Sequence, residues 1–145
     1  IMCNIFKKYF WSDVLFKIKD YYYLLRYGYK LSDTYNINTS LSKWILPRLK
    51  HYKNNLNGHP MGLTQEKWEE ILDKIIFSFE FILKEDDYLM ECYPANFDWG
   101  FTVNENSVLE FNDKRKPDYS SLELKEKRYF EGISLFAKYL KNLWD

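Results

Sequence analysis

Residues 64–83, Thr64-Gln65-Glu66-Lys67-Trp68-Glu69-Glu70-Ile71-Leu72-Asp73-Lys74-Ile75-Ile76-Phe77-Ser78-Phe79-Glu80-Phe81-Ile82-Leu83, decide the fold. Trp68, Ile71, Leu72, Ile75, Ile76, Phe79, Ile82 and Leu83 recur at three- and four-residue intervals, the period of one helix face. Thr64 supplies an N-cap oxygen for the first turn, and Glu66 stands where the helix dipole favours a negative charge. A stripe this long belongs in a core. Its other side carries Glu66, Glu69, Glu70, Asp73 and Glu80, which reads as a solvated acidic face.

A second pattern lies upstream: Leu41, Trp44, Ile45, Arg48, Leu49 and Tyr52 share a helix face. Pro47 falls inside it. Proline lacks the amide proton and clashes with the carbonyl four residues earlier, so the expectation is a kink, or a short piece followed by a helix with Pro47 near its start. Asn54-Asn55-Leu56-Asn57-Gly58, then His59-Pro60, should stop it. Further upstream, Ser12 caps a helix carrying Val14, Leu15, Ile18, Tyr22 and Leu25, with Gly28 closing it and a polar stretch from Ser32 to Ser40 following. Downstream, Glu85 to Pro94 reads as acidic and irregular. Phe97, Trp99, Phe101 and Val103 then alternate, Asn104-Glu105-Asn106 form a turn, and Val108 or Leu109 leads to Phe111. That pattern is a β-hairpin, and its aromatic face must lie on the helices or extend a partner's sheet. After Lys114-Arg115-Lys116 and Pro117, a last helix begins near Ser120 or Ser121 and turns Leu122, Tyr129, Phe130, Ile133, Phe136, Ala137, Leu140 and Trp144 inward. The fold class expected is mainly α, a helical bundle of about four helices with a β-hairpin insertion near residues 97–112. The chain reads as a single compact domain over residues 1–145.

Composition bounds the function classes. The 145 residues hold 21 Lys and Arg against 21 Asp and Glu, and 20% are aromatic. No stretch approaches the ~18 uncharged apolar residues of a membrane span, so no membrane partner is expected. Zero net charge conceals an asymmetry: residues 1–60 balance at +7 and residues 61–145 at −7. Either the two halves pair their charges, or the basic half presents a positive surface to an anion. Met2 reads as the natural start, with Ile1 upstream of it. Cys3 and Cys92 are far apart and unaccompanied, which fits two plain buried thiols in a reducing cytoplasm.

Chemistry by recognised motifs is scarce. His51 and His59 flank a turn without the spacing of a metal pair, so neither a metal nor a cofactor is expected. The carboxylates at 66, 69, 70 and 73 share a face, but such faces are ordinarily solvent-facing. The five glycines build no phosphate loop, and no nucleophile elbow is present. An enzyme is not expected. Aromatic and basic side chains do interleave in the first 60 residues, and rings that stack on bases beside cations that hold phosphate are the ingredients of nucleotide binding. The candidate ligand-binding residues are Arg48, Lys50, His51, Lys53, Tyr52, Trp44, Tyr23, Arg26 and Tyr27. The acidic helix argues against long nucleic acid. So many rings in one small chain lead us to expect a homo-oligomer.

Four segments resemble a family of small uncharacterised proteins carried by tailed bacteriophages. They are Trp44-Ile45-Leu46-Pro47-Arg48-Leu49-Lys50, Gly58-His59-Pro60, Leu63 to Ile76, and Gly132 to Asp145. About half the chain is covered, and Tyr93 to Lys116 departs from the family. The resemblance implies an accessory protein acting in the cytoplasm of an infected bacterial host, where non-catalytic binding is the usual mode. Three functions are compatible. The leading one is a host-defence antagonist that sequesters a small anionic, nucleotide-derived immune signal. The others are a protein-binding inhibitor of a host defence protein such as a restriction or CRISPR effector, through the acidic helix or the hairpin, and a virion or assembly component.

Overall fold

A computed structural model describes residues 2–103, 108–111 and 115–143, with side chains from Trp11 onward. The Asn104-Glu105-Asn106 turn, Lys114, Trp144 and the side chain of Cys3 therefore lie outside the described residues. The chain is mainly α, with four α-helices among the described residues and one two-stranded antiparallel hairpin between the third and the fourth. Two compact units divide it, residues 1–41 and 42–145.

The first unit is built on α1, Met2–Tyr27. Ser12 does not start this helix, as the spacing suggested, but lies inside it, because nothing between Met2 and Ser12 breaks a helix and Ser is only mildly unfavourable within one. The end is as expected. Gly28 adopts φ +80, open to glycine without strain, and its amide donates to Leu24 O at 3.0 Å. The polar stretch that follows is ordered: a 3₁₀ turn, Leu31–Thr34, returns along α1. Asp20 accepts from the Ser32 amide at 2.8 Å and from its hydroxyl at 2.6 Å, and Phe16 stacks on Tyr35 with ring centroids 6.0 Å apart. These hydrogen bonds hold the Asp20 carboxyl below its ordinary value, with Lys30 adding a smaller pull. Of the apolar stripe of this helix, Leu15, Ile18, Tyr22 and Leu25 are exposed and Val14 is half-buried.

The second unit gathers α2 (Ile37–Asn54) from Ser42 onward, α3 (Gln65–Glu91) and α4 (Ser120–Tyr139) around one core. Leu49, Trp68, Ile71, Leu72, Ile75, Ile76 and Phe79 are its buried centre, flanked by Ile45, Leu46, Ile133, Phe136 and Tyr139. The helix α2 runs unbroken through Pro47 and begins at Ile37, inside the stretch read as turn. Burial of Leu49 on α3 outweighs the one backbone bond that proline removes. The helix α3 starts where expected: the Thr64 hydroxyl accepts from the Lys67 amide at 3.3 Å. It ends later than its acidic sequence suggested, at Glu91. Tyr88 stacks on Phe81 at 5.6 Å, and Lys125 reaches both the Tyr88 ring at 3.9 Å and Glu91 at 2.7 Å, so contacts from α4 carry the helix through Glu85–Glu91.

Those contacts also widen the buried face of α3. Phe81 and Ser78, outside the predicted stripe, are buried, while Ile82 and Leu83 are only half-buried. In α4 the expected inward set shifts: Phe130, Ala137 and Leu140 are exposed, and Leu135 and Tyr139 pack on the core in their place. The two helices approach closely at Gly132, which is buried against Ser78 and the backbone of Lys74. Ser78 Oγ lies 2.9 Å from Tyr129 O and 3.1 Å from Lys74 O, so its proton is satisfied inside the contact.

The hairpin strands are short, β1 Phe101–Val103 and β2 Leu109–Phe111, with Phe101 opposite Phe111 and Val103 opposite Leu109. Alternation puts those four apolar side chains on one face. Of the two expected alternatives, packing on the helices or extension of a partner's sheet, that face does not take the first: all four are exposed. Rings below anchor the hairpin instead: Tyr93 meets Phe97 at 5.0 Å and Trp99 at 4.7 Å, and Phe97, buried, meets Phe111 at 5.6 Å. Arg115 clasps the carbonyls of Ala95 and Asn96 at 3.2 and 3.0 Å.

Candidate functional site

Each turn of α2 places side chains three and four apart on one face, and this sorts the predicted binding residues. Trp44, Arg48 and His51 fall together on the solvent side. The Arg48 guanidinium lies over the Trp44 indole, 4.2 Å from the ring centroid, and its Nη1 donates to Trp44 O. A cation held on a ring face in this way keeps its remaining donors free for a ligand and loses little side-chain freedom on binding. Tyr52 is half-buried, with its hydroxyl 3.4 Å from Asn142 O. Asn55 caps the helix end by donating to His51 O at 2.8 Å.

Lys50 and Lys53 point the other way, toward α3. Lys50 pairs with Glu80 and Lys53 with Asp73, each at 2.5 Å. The basic side chains of one half and the acidic side chains of the other therefore meet at least here, which is the pairing reading of the charge asymmetry. The acidic face of α3 is correspondingly engaged. Glu70 takes Lys67 at 2.8 Å and Lys74 at 3.3 Å, and Lys74 also reaches Glu131 at 2.7 Å. The lysines hold Glu70 below the usual carboxylate range, while Glu131 and then Glu70 raise Lys74. Tyr23, Arg26 and Tyr27 belong to the first unit, where Tyr23 packs on Tyr27 at 5.3 Å and on Tyr29 at 6.2 Å.

Three surface depressions flank these groups. One of about 150 Å³ is lined by Glu70, Asp73, Lys74, Phe77, Arg128 and Glu131. One of about 360 Å³ lies around Lys50, Lys53, Asp73 and Glu80. The third, about 410 Å³, is lined by Pro47, Arg48, His51, Tyr52, Asn55 and Asn57. Of these three, only the last has no carboxylate in its lining. It lies at the C-terminal end of α2, where the helix dipole works against an anion, so charge alone would hold a ligand poorly there and ring contact must contribute. Asn55 and Asn57, absent from the predicted set and read in the sequence as helix-stop residues, also line this depression, with the Asn55 amide engaged by His51 O.

Among the described residues, no group of three or more His, Cys, Asp and Glu side chains is arranged to hold a metal, and no helix is long and apolar enough to cross a membrane. Cys92 is buried, with Sγ 3.3 Å from Tyr88 O. The chain matches no protein-family model, no curated protein and no solved structure.

Proposed function

We propose that this chain is a non-catalytic binding protein for a small, nucleotide-like anion. Arg48 and His51 would meet the anionic group, and Trp44 would supply ring surface for the base. The observation that carries this reading is the carboxylate-free depression lined by Arg48, the residue whose guanidinium stacks on Trp44. Base stacking contributes about 1 to 3 kcal/mol per ring, enough to compensate for an unfavourable helix end. With the resemblance to phage proteins, the biological role we propose is an accessory protein that sequesters a nucleotide-derived signal of host defence in the infected cell. Titration calorimetry against cyclic oligonucleotides and ADP-ribose derivatives tests it. At least one should bind, and Trp44→Ala and Arg48→Ala, both at exposed positions, should each weaken it at least tenfold without altering the circular dichroism spectrum. Silence across the panel refutes the reading.

A protein-binding inhibitor is the second reading, favoured by the exposed face of Phe101, Val103, Leu109 and Phe111. The acidic face of α3 is a weaker route to it, since Glu70, Asp73 and Glu80 already have lysine partners. Pull-down from defended host lysate discriminates: capture lost on Phe101→Ser with Val103→Ser but kept in Arg48→Ala favours this second reading over the first.

A further inference from the structure

The helix α1 carries an apolar seam that its own unit leaves bare. Leu15, Ile18, Tyr22 and Leu25 follow one another at intervals of three, four and three, and Trp11 precedes Leu15 by four. This is the alternation of a and d positions in a heptad, whose mean period of 3.5 keeps one stripe facing a partner helix. The returning segment covers a different side of α1, at Phe16, Asp20 and Tyr23, through Tyr35, Ser32 and Tyr29. The seam residues remain 58%, 59%, 58% and 71% exposed from Leu15 to Leu25, and Tyr21 beside them is 64% exposed.

We propose that this seam is the contact of a parallel homodimer, α1 against α1 of a second copy. Area is the first argument. At roughly 100 to 170 Å² of exposed surface for each large side chain, Trp11, Leu15, Ile18, Tyr21, Tyr22 and Leu25 offer about 800 Å² per chain, the amount one partner contributes to a stable interface of standard size. Charge gives the orientation. Lys19 and Arg26 stand on one edge of the seam and Val14 and Tyr21 on the other. In a parallel pair each edge meets the opposite edge of its partner, so the stems of Lys19 and Arg26 cover Val14 and Tyr21, and Arg26 reaches a tyrosine face. An antiparallel pair would set the two basic edges against each other. A second copy meets these requirements with the residues already present.

Sedimentation equilibrium of the full chain tests the proposal. The expected mass is twice 17.8 kDa at micromolar concentration. Leu15→Glu with Ile18→Glu should weaken association more than a hundredfold while the helical circular dichroism signal is kept. In a Cys3→Ser background, Leu25→Cys should cross-link to itself under mild oxidation, whereas an equimolar mixture of Trp11→Cys and Leu25→Cys chains should give no excess of the mixed pair. A monomer at 100 µM would overturn the proposal, whether the seam then proves protected from hydrogen exchange by the chain's own second unit or binds vesicles of anionic lipid. A dimer indifferent to the glutamate substitutions would also overturn it. A predominant Trp11–Leu25 cross-link would overturn the parallel arrangement.

Discussion

Replacing Gly132 by alanine should separate α4 from α3. A β-carbon there would stand 2.0 Å from Ser78 Oγ, 2.1 Å from the Lys74 carbonyl oxygen and 2.8 Å from its carbon. An ordinary contact begins beyond 3.4 Å, so the helices must part by more than 1 Å along this line. Ser78 could turn its hydroxyl aside; the Lys74 carbonyl is held in the helix and cannot. Parting stretches the bond between Ser78 and Tyr129 O, now 2.9 Å, and opens the edge-to-face contact of Phe79 with Phe136 at 5.1 Å. Overpacking of a close contact costs about 1 to 3 kcal/mol, and loosening an aromatic pair about 0.5 to 1.5 more, while the Ser78 hydroxyl keeps the Lys74 carbonyl as its acceptor. Against this, alanine is a better helix former than glycine by about 1 kcal/mol. The net expectation is a loss of about 2 kcal/mol, seen as a lower midpoint of urea unfolding followed by circular dichroism. Adding Ser78→Ala should not restore it, because the carbonyl clash persists. Gly132→Ala that is neutral, or more stable by the helix-propensity increment alone, would refute the close-approach argument.

Other consequences are as direct. Phe81→Ala should cost about 3 to 5 kcal/mol by the same unfolding assay, since the ring is buried between Tyr88 and Tyr129; a loss under 1 kcal/mol would mean the late part of α3 does not pack as described. Thr64→Ala should cost about 1 kcal/mol through the lost cap on Lys67, and Thr64→Asp should restore most of it. Asp20 anchors the 3₁₀ turn only while ionised, and its folded pKa is lowered from 3.8, so its contribution is complete above 3.8 and disappears as pH falls through the lowered value. The protection factor of the Ser32 amide, measured against its intrinsic exchange rate at each pH, should therefore fall below about pH 3.8 in the native protein and already be low at pH 7 in Asp20→Ala. Equal protection in both would rule out that anchoring.

Much of the fold was legible because the decisive segments obey one period. The eight apolar positions of α3 and the start of α4 at Ser120 needed no knowledge of neighbours. Element ends were harder, since Ser12 and the acids after Glu85 have weak local preferences that their surroundings override. The candidate site was half legible. Trp44, Arg48 and His51 fall on one solvent face because helix geometry dictates it, but the same geometry turns Lys50 and Lys53 to the other side, where only the arrival of α3 supplies Asp73 and Glu80.

Sequence alone, through hydrophobic period and capping residues, determined that the chain is mainly helical, that residues 65–83 supply the core, and that α1 ends at Gly28. Tertiary structure decided which apolar stripes are covered. Leu15 to Leu25 and Phe79 belong to stripes of similar pattern, yet the first is exposed and the second is buried, with Phe79 against Phe136 of α4. A period records that a face seeks cover; it carries no information about what arrives, because that depends on residues far apart in the chain.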